Sequence, residues 1–196
     1  IARHTNAFKI NEDVVIPLER LADYSDGVER INIECSIENK LALLDALEEY
    51  FQGALPLVQG EEPLPRPELL GDRAQQALDL LATVRARWQR LQNGLDVEFE
   101  KLQSRTERLS WKTEVRAALA RIFAGAPYAR ILEAADAVHK RVLRGRVFVA
   151  LHMHAGDGNV HSNIPVNSDD YAMLQRATQV VARLMRLAKS LGGVIS

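Results

Sequence analysis

The sequence predicts an α+β fold: a small, mainly antiparallel sheet covered by helices, with a long antiparallel helical hairpin projecting from it. Residues 146–166 supply the first observation, because side chains there alternate with period two on either side of a glycine-rich turn, the mark of paired strands. The second lies in the middle of the chain, where apolar residues recur at steps of three and four through long charged runs. The third is that no glycine-rich phosphate cradle of the doubly wound or P-loop kind is present, which sets those architectures aside.

Val14, Val15 and Ile16 read as a short strand ended by Pro17, and residues 18–30 have helical spacing at Leu21, Tyr24 and Val28. Ser36 is placed to cap a further helix carrying Ile37, Leu41, Leu44, Leu47 and Phe51, which Gly53 ends. Residues 54–67 crowd Pro56, Pro63, Pro65, Pro67 and Gly60 together and are expected to form a loop. A long polar helix follows, striped by Leu81, Val84, Trp88, Leu91, Leu95, Phe99 and Leu102, with Gly94 as a tolerated weak point. After Ser110 a second helical stretch carries Val115, Leu119, Ile122 and Phe123; Gly125-Ala126-Pro127 interrupts it, and Ile131, Leu132, Ala135, Val138 and Val142 resume the spacing. These runs make the predicted helical hairpin, with His139 on its surface. Val147 to His154 form the next strand, Gly156-Asp157-Gly158 a turn in which both glycines tolerate positive φ, and Asn159 to Val166 the return strand. Ser168 is read as the cap of a last helix with Tyr171, Leu174, Thr178, Val181, Met185 and Ala188 on one face, closed by Gly192-Gly193. Its cationic side, Arg176, Arg183, Arg186 and Lys189, reads as solvent-facing.

A chain of 196 residues, 47% hydrophobic, suits one domain with a substantial core. Twenty-five basic residues against 26 acidic ones argue against a nucleic-acid surface and leave no polybasic membrane patch. No run of about 18 apolar residues is long enough to cross a membrane, and a homo-oligomer is compatible with this composition. Ile1-Ala2-Arg3-His4 is neither a methionine start nor a signal peptide, so the chain reads as an excised fragment. A single cysteine, Cys35, excludes an internal disulfide and fits a reducing compartment, so the expected location is cytoplasmic. With no histidine beside it, Cys35 reads as a buried thiol rather than a nucleophile.

Three of the five histidines fall in the hairpin. Period two puts His152 and His154 on one face of the first arm, and Asn159, His161 and Asn163 on one face of the second. Pairing of the arms brings His154 and His161 to the same side near the turn. Two neutral imidazoles on a rigid hairpin form half of a divalent transition-metal site, zinc foremost, with iron and nickel also suited. A catalytic zinc takes three protein ligands, so a third must come from elsewhere. A polar hairpin tip with idle, hydrogen-bonded histidines is the competing reading.

The segment His154-Ala155-Gly156-Asp157-Gly158-Asn159-Val160-His161-Ser162-Asn163 resembles the signature of the cap domain in FAD-linked oxidases of the D-lactate dehydrogenase, glycolate oxidase and D-2-hydroxyglutarate dehydrogenase group. The resemblance implies that His154 and His161 are metal ligands and that Asn163 contacts the substrate. It further implies that Arg3, in Arg3-His4-Thr5-Asn6-Ala7-Phe8, clamps the substrate carboxylate, and that Lys9 makes a second carboxylate contact; two residues separate Arg3 from Asn6, one more than in the family pattern. The family's third ligand is a glutamate in a Gly-Glu-His-Gly segment, followed directly by the histidine that acts as base. Residues 192–196 are where that segment is expected to begin, so no catalytic base is assigned within this chain. Residues 1–196 are then a fragment of the substrate (cap) domain, with a helical insertion at 54–145 that carries no pattern of the family, and the FAD-binding domain is expected before residue 1.

The implied activity is oxidation of a D-2-hydroxy acid of the D-lactate, glycolate or D-2-hydroxyglutarate type to the 2-oxo acid, with FAD held mainly by a domain outside this chain, a divalent metal assisting, and an electron acceptor left open. The fragment alone is expected to be inactive. Two readings compete: a helical protein-interaction domain with a vestigial site, and a metal-dependent hydrolase, which needs an acidic partner that neither Asp157 nor Asp169-Asp170 supplies at a recognisable spacing.

Overall fold

Strand β1 (Ala7–Val15) lies inside a four-stranded antiparallel sheet of order β2-β3-β1-β4, formed with β2 (Ala150–His154), β3 (Asn159–Asn167) and β4 (Val194–Ile195). The computed structural model describes residues 7–57, 70–154 and 156–195. Six helices, among the described residues, complete an α+β fold: α1 (Leu21–Gln52), α2 (Arg73–Asn93), α3 (Leu95–Gln103), α4 (Ala117–Ile122), α5 (Ala129–Arg144) and α6 (Tyr171–Ser190). The chain divides into two compact units, Ile1–Ser36 with Gly145–Ser196, and Ile37–Arg144.

In the sheet unit, β1 starts seven residues earlier than its apolar end, Val14 to Ile16, suggests. Ile10 and Val14 turn inward while Lys9, Asn11 and Asp13 alternate outward, so the strand is amphipathic over most of its length and apolar only at its end. Its pairing with β3 runs from Ala7 opposite Asn167 to Val15 opposite Asn159. The core beneath gathers Tyr24, Val28, Ile31 and Cys35 of α1, Val160, Ile164 and Val166 of β3, and Met173, Ala177, Val180, Leu184 and Ala188 of α6. Cys35 is a buried thiol, as expected.

Val147 and Val149 are buried at 3% and 4% exposure, yet β2 begins only at Ala150. The Asn32 side chain explains the gap: its amide donates to the Val149 carbonyl at 2.9 Å, and its oxygen accepts from the Val149 N–H at 2.7 Å. An α1 side chain thus pairs both backbone groups that a neighbouring strand would otherwise satisfy.

Several boundaries differ from expectation. Ser36 does not begin a helix, because α1 runs unbroken through it; the apolar stripe continues across Ile31, Cys35 and Leu44, and neither glycine nor proline occurs between Val28 and Gln52. Asp170, not Ser168, caps α6, its carboxylate accepting the Met173 N–H at 2.8 Å. The buried stripe of α6 is centred on Met173, Ala177, Val180, Leu184 and Ala188, one position from the predicted one; Tyr171 is 73% exposed. Its end is as predicted, with Gly192 at φ +78° and the N–H groups of Gly192 and Gly193 donating to Lys189 and Ala188 carbonyls at 3.1 and 2.8 Å. On the cationic side, Arg183 pairs with Glu34 and Arg176 donates to the Gly145 carbonyl at 3.0 Å, so these two are engaged rather than free in solvent.

The second unit is helical, built around Leu44, Leu47, Phe51, Leu81, Trp88, Leu119, Phe123 and Ile131. Arg73 at the start of α2 lies over the Tyr128 ring, 4.8 Å from its centroid, while Trp88 near its end donates to Glu114 at 3.1 Å, so α2 and the 111–122 stretch run antiparallel. Gly94 does more than weaken the helix: at φ −96° and ψ 18° it separates α2 from α3. A wide π-turn (Trp111–Arg116) opens the second arm, with the Ser110 hydroxyl accepting from Thr113 N–H and Glu114 reaching back to Ser110 N–H at 2.6 Å. The hydroxyl half of this reciprocal cap is the usual one to the N3 amide, while the carboxylate comes from Glu114, one residue further on than in the common capping box. His139 is not a free surface residue, for its ring stacks on Trp111 with centroids 4.7 Å apart and planes 8° from parallel.

Candidate functional site

The sheet has a core side and a polar side, and the alternation of three strands decides what the polar side carries. On β3, Val160, Ser162, Ile164 and Val166 are buried, leaving Asn159, His161, Asn163 and Pro165 on the other face. Across the β1 pairing, Asp13 stands opposite His161, Asn11 opposite Asn163 and Lys9 opposite Pro165. Across the β2 pairing, His152 stands opposite His161, His154 opposite Asn159 and Ala150 opposite Asn163. One sheet face therefore collects Lys9, Asn11, Asp13, His152, His154, His161 and Asn163.

Of the residues predicted from sequence, His154 and His161 are brought together: their ring centroids are 5.5 Å apart and their planes 88° from parallel. Asn163 lies one step along the same face of β3, roughly 7 Å from His161 by strand rise. Lys9 is exposed on that face but about 13 Å along β1 from Asp13, away from the imidazoles. Arg3 lies outside the described residues.

Two neighbours have no role assigned from the sequence, although period two puts His152 on one face with His154. His152 adds a third imidazole, its centroid 5.2 Å from that of His154 and 6.1 Å from that of His161. Asp13 places a carboxylate oxygen 2.7 Å from His161 Nδ1. The alternation of β1, had it been extended back from Val14, would have placed Asp13, Asn11 and Lys9 on one face; its pairing with a residue 148 positions away leaves no local signal.

The turn is built for this placement. The Asp157 N–H donates to the His154 carbonyl at 3.0 Å and closes it, which is the turn-shaping role expected of that residue. Gly158 takes a positive φ, +69°, as the glycine-rich turn allows. Gly158 also docks on the end of β1, where its carbonyl accepts the Ile16 N–H at 2.8 Å. From the core side the Tyr24 hydroxyl meets Ser162 at 3.5 Å; burial pushes the phenol above its usual range, which keeps it a neutral hydrogen-bonding group beneath the middle of β3.

The donor chemistry fits half of a divalent-metal site. Two imidazoles bound to one zinc in tetrahedral geometry hold their ring centres roughly 5 Å apart, close to the His154–His161 separation. A ligating imidazole ordinarily directs its second nitrogen to a carboxylate or carbonyl, and His161 Nδ1 lies 2.7 Å from the Asp13 carboxylate. Among the described residues no group of three His, Cys, Asp or Glu side chains is arranged to hold a metal ion. Among the described residues, His154 and His161 are thus two donors without a third.

No curated protein and no solved structure matches the chain significantly. A family model does match, over residues 99–196, a span that takes in β2, the turn, β3, α6 and also α4 and α5 from the stretch read as an insertion. Because that match covers half of the chain, including both imidazoles and Asn163, the chain belongs to the family described as FAD linked oxidases, C-terminal domain.

Proposed function

We propose that this domain forms the substrate side of a flavin-dependent dehydrogenase that oxidises a D-2-hydroxy acid to the 2-oxo acid. The family makes the chain part of a flavin-linked oxidoreductase. The observation that carries the finer reading is the gathering of His154, His161 and Asn163 on one sheet face, with an exposed cation, Lys9, further along it. When bound, a divalent metal supplies Lewis acidity toward a hydroxyl oxygen and the flavin supplies the two-electron acceptor. His154 and His161 would hold the metal, with a third ligand and the base coming from residues beyond those described.

Asn163 offers both a donor and an acceptor one strand step from His161, which suits it to orient the substrate's hydroxyl or carboxylate end. Arg3 is assigned the α-carboxylate through the resemblance. Lys9 is too far along β1 to share a small substrate with the imidazoles, so its ammonium is assigned to a distal carboxylate. That favours a dicarboxylic 2-hydroxy acid of the D-2-hydroxyglutarate type over D-lactate or glycolate.

Turnover of D-2-hydroxyglutarate, D-lactate and glycolate by the full-length flavoprotein tests this, wild type beside Lys9→Ala. The expected outcome is highest kcat/KM on the dicarboxylate, falling on the order of 10- to 100-fold in the variant, with D-lactate turnover unchanged. Equal loss on both substrates would remove the distal-carboxylate role, and no turnover of any of the three would remove the reading itself.

A further inference from the structure

We propose that Asp13 is a positioning residue: it fixes His161 as the Nδ1–H tautomer and so presents Nε2 toward the polar sheet face. The two side chains come from β1 and β3, directly opposite in register and on the same face, and their atoms meet at 2.7 Å. The pair is 44% exposed at Asp13 and 32% at His161, so solvent screens it and it adds little to folding. What a short hydrogen bond to a carboxylate does set is which ring nitrogen carries the proton and how the ring is turned. His154 lies on the opposite side of His161 from β1, on β2, so the nitrogen left with the lone pair belongs to the ring whose neighbour is the other candidate ligand.

The assignment of a metal to that lone pair rests on the functional reading above; the assignment of the tautomer does not. The experiment therefore reads both. The full-length protein, histidine-labelled with nitrogen-15, stripped of metal and held above the ordinary histidine pKa of about 6.5, reports the His161 tautomer by NMR; the same samples are titrated with zinc against a chromogenic chelator. Wild type is expected to show Nδ1–H at His161. Asp13→Ala releases the ring to the Nε2–H form that imidazole prefers in water. Asp13→Asn shifts it further that way, because a rotated amide donates to Nδ1. Asp13→Glu, which keeps the carboxylate, restores part of the wild-type population. Zinc affinity is expected to fall on the order of 10- to 100-fold in the Ala and Asn variants, with the unfolding midpoint unchanged.

An unaltered Nδ1–H signal in Asp13→Ala would overturn the proposal. So would loss of the tautomer only alongside a lowered unfolding midpoint that Asp13→Glu fails to rescue. A tautomer that shifts in the variants as expected while the full-length wild type binds no zinc would sustain the role of Asp13 and contradict the metal reading.

Discussion

A Cβ on Gly158 would meet the Ile16 carbonyl oxygen at 2.3 Å, and its φ of +69° is one that side chains rarely adopt. Gly156, two residues earlier, would meet nothing within 4 Å. The two glycines look alike in the sequence, yet only one is indispensable. Gly158→Ala is expected to cost at least about 2 kcal/mol, combining left-handed strain with the displaced β1 contact, while Gly156→Ala stays within about 0.5 kcal/mol of wild type. Urea unfolding of both variants checks this, and equal effects would contradict the docking of the turn on β1. At this scale the sequence discloses the residues whose meaning is carried by short spacing. His154, His161 and Asn163 sit within ten positions, so strand alternation alone puts the two imidazoles on one side. Asp13 escaped because it acquires its partner only when β1 and β3 pair; the sequence puts His152 on the face of His154, but it precedes the turn motif and receives no role.

Elements were legible where a local rule settles them. The Gly192-Gly193 end of α6 and the β2–β3 hairpin follow from backbone preferences that a few residues decide. The unbroken α1 and the long β1 do not. Ser36 has the chemistry of a cap, but capping matters only where a helix must begin, and burial on both sides of it carries the helix through. β1 looked short because only its end is apolar, while its polar half is held by pairing with β3. In the helical unit, the seating of α5 on the turn around Trp111 produces a pH response. Desolvation on burial lowers the pKa of His139 from 6.5; the Lys40 and Lys140 cations act in the same direction, and Asp136 opposes them. The unfolded chain then takes up the proton first as pH falls, so this contribution to stability is complete above about pH 6.5 and is lost as pH drops through the lower folded-state value. His139→Phe keeps a ring on Trp111 and cannot titrate. Its thermal midpoint should fall less than that of wild type on acidification below this range, and parallel curves would show that His139 is not the group responsible.

For the whole molecule, the class was readable because periodicity reports which face of each element is covered: period two in the hairpin, three to four in the helices. The polar face of the sheet was only partly readable, since it is assembled from strands at opposite ends of the chain. Among the described residues no helix is long and apolar enough to cross a membrane. The family match and the placement of the two imidazoles lead to one central claim, that His154 and His161 hold a catalytic metal beside a flavin. The most direct test is metal analysis with visible spectroscopy on the full-length protein, wild type beside His154→Ala and His161→Ala. A flavin spectrum in all three, a stoichiometric metal in wild type alone, and hydroxy-acid turnover lost with the metal is the predicted result. Metal retained in both variants, or turnover that survives its loss, would contradict the account.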